Sequence, residues 1–145
     1  MSQVANHSDH LPIYALEAEI LRHEQVDTPV THAFCNGLYA RTMHIPANTV
    51  LTGAIHKEES FFLLRSGVLL VTTDDGPKQI YPGHMSISRK GTKRAGVAVT
   101  DCEVTTFHSN IINEQDTDLL WEMYTEPAPQ EMLEAVNHPT LKGIK

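Results

Sequence analysis

From Ala33 to His108 the sequence is a run of short apolar and β-branched stretches broken by turn signals, a pattern that argues for an all-β architecture. The stretches read FCNGLYARTMHI, TVLTGAIH, FFLLRSGVLLVTT and KQIYPGHMSIS, with IPAN and DDGP as punctuation. Each strand of this kind buries one face and needs a second layer, or a closed sheet, to cover it. A sandwich or small barrel is therefore expected. Asp75-Gly76 marks a hairpin turn, since glycine tolerates the positive φ such turns demand.

Outside this region the period changes. Ile13, Leu16, Ile20 and Leu21 recur at helical spacing and predict a short helix over 13–23, ending before Pro29. Asp116 reads as the cap of a helical stretch containing Leu119, Leu120, Met123 and Tyr124. After Pro127 and Pro129, Met132, Leu133 and Val136 form a second apolar stripe. The expected organisation is a polar tail and short helix over 1–30, a β-barrel over 31–112 and a helical extension over 113–145. The C-terminal helices are expected to pack over a barrel face or against a partner subunit, and Trp121 to be buried there rather than stacked on a ligand.

A chain of 145 residues suits one domain with a real core. Its longest apolar runs, such as Val68–Val71, are too short to cross a bilayer. MSQVANHSDH has neither the basic flank nor the apolar region of a secretory signal. Cys35 and Cys102 show no disulfide-framework spacing, so buried thiols in a reduced cytoplasmic setting are expected. The formal charge of −7 argues against bulk affinity for nucleic acid or anionic membrane. One segment runs against it: RKGTKR gathers Arg89, Lys90, Lys93 and Arg94, either as a solvated loop or as an anion-binding face.

The segment GAIHKEESFFLLRSGVLLVTTDDGPKQIYPGHMSISRKGTKRAG resembles a cupin core. In the first cupin motif frame, Gly67 closes the pattern, while Ala54, His56 and Ser60 stand at the two histidine positions and the glutamate position. In the second, Gly83 and Gly91 fit, and Arg89, Arg94 and Ala98 replace the proline, histidine and asparagine. The resemblance implies a mainly β fold, a double-stranded β-helix or jelly-roll barrel with short N- and C-terminal helices and a pocket at one mouth. It also implies a metal site from which most ligands are missing, because a guanidinium has no lone pair to offer. IPANTVLTGAIHKEE and GTKRAGVA, followed by TTFH, are further similar to small cupin-like proteins encoded by bacteriophages and prophages.

Within that frame the candidate ligand-binding residues are Arg41, His56, Glu58, Lys93, Arg94 and His108. His56, Glu58 and Ser60 share a face if one strand runs through them. Arg94 then points toward His56 and Glu58, either to pair with Glu58 or, with Lys93, to bind a carboxylate or phosphate. His108 closes a late strand with Thr106 on the same face, and Arg41 is a further candidate, with His44 on the opposite face. There is no nucleophile elbow or phosphate-cradling glycine loop, so no catalytic residue is assigned.

The leading functional expectation is a binding module for a small anionic ligand (a nucleotide, sugar phosphate or carboxylate) with no metal and no cofactor. The alternatives are a metal-dependent isomerase, lyase or oxygenase with a rearranged site, and a phage virion or assembly component. A homodimer or higher closed oligomer is expected, with no membrane or nucleic-acid partner.

Overall fold

The computed structural model describes residues 10–127. Along the chain, α1 (Leu11–Ile20) precedes β1 (Val30–Cys35), β2 (Leu38–Ile45), β3 (Val50–Thr52), β4 (Ile55–His56) and β5 (Ser60–Ser66). There follow β6 (Leu69–Thr73), β7 (Gly76–Ile80), β8 (Met85–Ser88), β9 (Ala95–Ala98), β10 (Cys102–Ser109), α2 (Thr117–Tyr124) and β11 (Thr125–Glu126). Among these residues no helix is long and apolar enough to cross a membrane.

The strands form a five-stranded sheet ordered β1-β2-β10-β5-β8, a four-stranded sheet ordered β3-β9-β6-β7, and a β11-β4 pair, all antiparallel. Both larger sheets feed one core: Met43, Ile45, Leu64 and Val104 from the first meet Leu69, Val71, Ile80 and Ala98 from the second. The period-two alternation anticipated in the sequence is what makes this possible, since every second residue faces inward.

Turns pin the register. Asn36 and Gly37 both take positive φ (38° and 82°) and close the β1–β2 hairpin in the type I′ manner. In the β6–β7 hairpin the two turn residues are Asp74 and Asp75. The positive φ of 96° falls on Gly76, as the glycine signal indicated, while the turn pair itself lies one position earlier than Asp75-Gly76. Gly67 is the most constrained glycine. It takes φ of 81°, and a Cβ there would sit 2.0 Å from the Asp101 carbonyl oxygen.

The N-terminal helix starts at Leu11, two residues before the anticipated 13–23 span, with Pro12 in its first turn. Its buried face is not the anticipated stripe of Ile13, Leu16, Ile20 and Leu21 but Tyr14, Glu17 and Ala18. A glutamate can lie on that face because Lys93 meets it. The Lys93 Nζ donates to Glu17 Oε1 and, at 2.8 Å, to the Gly53 carbonyl, while Thr52 Oγ1 donates to the same Glu17 oxygen at 2.8 Å. The ammonium also lies 4.8 Å from the centre of the Tyr14 ring.

At the other end, Asp116 caps α2 as anticipated, its carboxylate accepting from the backbone of Asp118 and Leu119. The following strand, β11, returns the chain to β4, with Thr125 opposite His56. The stripe of Met132, Leu133 and Val136 lies outside the described residues. Of the two cysteines, Cys102 is buried and Cys35 is exposed, so the expectation of two buried thiols is corrected at Cys35. Cys35 ends the edge strand β1, next to the Asn36-Gly37 turn.

Candidate functional site

A cavity of about 580 Å³ opens between the sheets. Register places its walls in rows. Tyr39 lies opposite His108 in the β2–β10 ladder. The next inward-facing row is Arg41, Thr106 and Phe62, across β2, β10 and β5. Below it come Met43, Val104 and Leu64. From the second sheet Leu51, Val71 and Gly96 add to the wall, with Arg94 just before β9.

Both arginines line this cavity, and both charges act on His56. The Arg94 guanidinium lies 5.9 Å from the centre of the Phe62 ring, and Phe62 shares its row with Arg41. The Arg41 guanidinium lies 5.0 Å from the centre of the Trp121 ring, which α2 brings over the cavity. Among the described residues, neither guanidinium has a carboxylate within ion-pair distance. Burial disfavours the charge on both; Tyr39 offsets part of that cost for Arg41, and Asp74 part of it for Arg94.

Two imidazoles complete the polar part. His56 and His108 meet edge to face with centroids 5.5 Å apart, and His108 stacks on Tyr124 at 5.0 Å and Tyr39 at 5.7 Å. His108 Nε2 is 2.9 Å from Thr106 Oγ1, and His56 Nδ1 is 3.5 Å from Ser60 Oγ. Burial, then the Arg41 and Arg94 charges, holds the His56 imidazole down at about 4. Burial, then His56 and Arg41, does the same for His108, also to about 4. At neutral pH both rings are uncharged, so the fixed positive charge inside the cavity is that of the guanidiniums. Arg89 at the rim adds to it, and the exposed Asp118 and Glu122 oppose it.

The structure thus brings together Arg41, His56, Arg94 and His108 of the six residues read from the sequence. It does not bring Glu58 with them. Strand β4 ends at His56 and the chain bends over 57–58, so the alternation linking His56 to Glu58 is broken and Glu58 is exposed outside the cavity lining. Lys93 is also elsewhere. Neighbours on an extended segment project to opposite sides, so with Arg94 facing the cavity Lys93 faces α1 and Glu17. The anticipated pairing of Arg94 with Glu58 is not formed.

Trp121 lies half-buried against the barrel from α2, in line with the expectation, and its ring also lines the cavity under Arg41. Tyr39 and Tyr124 were missed. Tyr39 shares parity with Arg41, a signal the sequence carries; Tyr124 arrives through the β11–β4 pairing, which no local pattern announces.

No family model matches the sequence, and neither does any curated protein. Solved structures do match. KdgF from Halomonas sp. superimposes with a TM-score of 0.52 at 16% identity, over 68% of this chain and 94% of its own. A cupin superfamily protein from Desulfitobacterium hafniense DCB-2 matches at TM-score 0.49 and 10% identity, over 63% and 85% of the two chains. The Cupin_2 domain of an XRE family transcriptional regulator from Enterobacter cloacae matches at 0.48 and 11%, over 55% and 93%. At such identities the likeness speaks for the fold alone. Two antiparallel sheets around a common cavity, flanked by short helices, make this chain a mainly β protein, and its fold is like that of the Halomonas protein.

Proposed function

We propose that the cavity binds a small organic anion (a carboxylate, sugar phosphate or nucleotide) through Arg41 and Arg94, without a metal ion. One observation carries the reading: two partly desolvated guanidiniums line the same cavity and both act on His56, with no carboxylate among the described residues in ion-pair contact with either. An anion placed between them supplies the charge partner that burial makes valuable, and a guanidinium offers a planar fork suited to carboxylate or phosphate.

The donor set supports the metal-free reading, because it does not fit a bound transition metal. Among the described residues no three His, Cys, Asp or Glu side chains gather to hold one. His56 and His108 are two imidazoles facing two cations, and Ala54 and Arg94 line the wall where the motif frame calls for further histidines. A cation there would meet repulsion rather than a third ligand.

Arg94→Ala and Arg41→Ala are each expected to remove a charge-assisted contact of about 1.5–3 kcal/mol. That weakens binding of a responsive anion by roughly ten- to hundredfold. Titration calorimetry with citrate, glucose 6-phosphate and adenosine monophosphate measures it, with melting curves to establish that the variants remain folded. If no anion in such a set binds with an affinity that depends on either arginine, the proposal fails.

A further inference from the structure

We infer that the ligand is an acid with an apolar body, an alkyl or aryl carboxylate, seated with its carboxylate between Arg41 and Arg94 and its apolar part on the wall beneath them. The inference rests on the anion reading above and narrows it. The row below Arg41 is Met43, Val104 and Leu64, and the facing sheet adds Leu51 and Val71 at the cavity wall. Met43, Val104, Leu51 and Val71 line the cavity and carry no hydrogen-bonding side-chain group.

A sugar or ribose body in that space would surrender its hydrogen bonds to water and recover few of them, which is costly in an apolar surround. A hydrocarbon body gains there. At about 580 Å³ the cavity has room for much more than a carboxylate group, enough to seat an apolar body on this wall. Charge points the same way. Asp118 and Glu122 are exposed on α2 at the rim, and they oppose a polyphosphate more strongly than a single buried carboxylate. Phe62 and Trp121, each beneath a guanidinium, present flat apolar walls beside the head group.

The test is a chain-length series. Butanoate, hexanoate and octanoate are titrated against the full chain by calorimetry, beside 1-octanol and glucose 6-phosphate. The expected result is a gain of about fourfold in affinity per methylene group. Octanoate should bind at least tenfold more tightly than octanol and lose that advantage in Arg94→Ala. If glucose 6-phosphate binds in an Arg94-dependent way while the carboxylates show no dependence on length, the apolar-body inference is overturned and the anion reading stands. If octanol binds as tightly as octanoate, both are overturned, because the guanidiniums then contribute nothing. Absence of binding by every probe also overturns both.

Discussion

Lys93→Ala is expected to lower the unfolding free energy by about 3–5 kcal/mol, the range typical of removing one partner from a buried ion pair. The side chains of Lys93 and Glu17 are only 6% and 2% exposed. Without the ammonium, the Glu17 carboxylate keeps the Thr52 hydroxyl and loses its counter-charge. Two further contacts go with it, the hydrogen bond to the Gly53 carbonyl and the approach to the Tyr14 ring. The pair is worth far less than either deletion suggests, since two charges had to leave water to form it. The double variant Lys93→Met with Glu17→Leu is therefore expected to regain most of the loss. Urea denaturation of the two variants beside the wild type decides this. A single-variant loss below about 1 kcal/mol would place Lys93 in solvent, as an ordinary member of the basic run.

Acid is expected to act through the cavity. In the unfolded chain a histidine takes up its proton near its ordinary value of 6.5, whereas in the folded protein His56 and His108 do so only at about 4. Between those values the unfolded state binds more protons, so stability falls as pH falls from about 6.5 to about 4 and the imidazole contribution levels off below that. The sign follows from pKa values depressed by burial. Between pH 7 and pH 5 each imidazole removes about 2 kcal/mol, and the two titrate as a coupled pair, so twice that is an upper bound. Carboxylates also titrate toward the lower end, which makes the difference between wild type and the His56→Gln, His108→Gln double variant the informative quantity. The variant's stability is expected to change much less over that window. Parallel profiles would mean the rings are solvated in the folded state.

The fold was legible because its signals are local. The apolar stretches and turn signals from Ala33 to His108 and the Asp116 cap depend on near neighbours, and the strands and the cap appear in the structure. The site was legible only where alternation persists. Arg41, Thr106 and His108 lie on long strands, so parity carried them inward correctly. Glu58 failed because β4 is two residues long and parity has no meaning beyond its end. Lys93 failed because sequence proximity to Arg94 suggested a shared role, while extended backbone sends neighbours to opposite sides. The buried face of α1 failed for a related reason: Glu17 looks like a solvent residue until Lys93, distant in sequence, supplies its partner. Trp121 and Tyr124 depend on where α2 lands, which is fixed by the long-range β11–β4 pairing.

The central claim is that Arg41 and Arg94 together receive an anion. It is tested most directly by following the arginine side-chain nitrogen signals by NMR during titration with octanoate and then with glucose 6-phosphate, assigned through Arg41→Lys and Arg94→Lys. Saturable shifts are expected at Arg41 and Arg94 with one common affinity, while the exposed Arg22 and Arg65 change little. Equal, non-saturating changes at all the arginines, or movement at Arg22 and Arg65 alone, would contradict it.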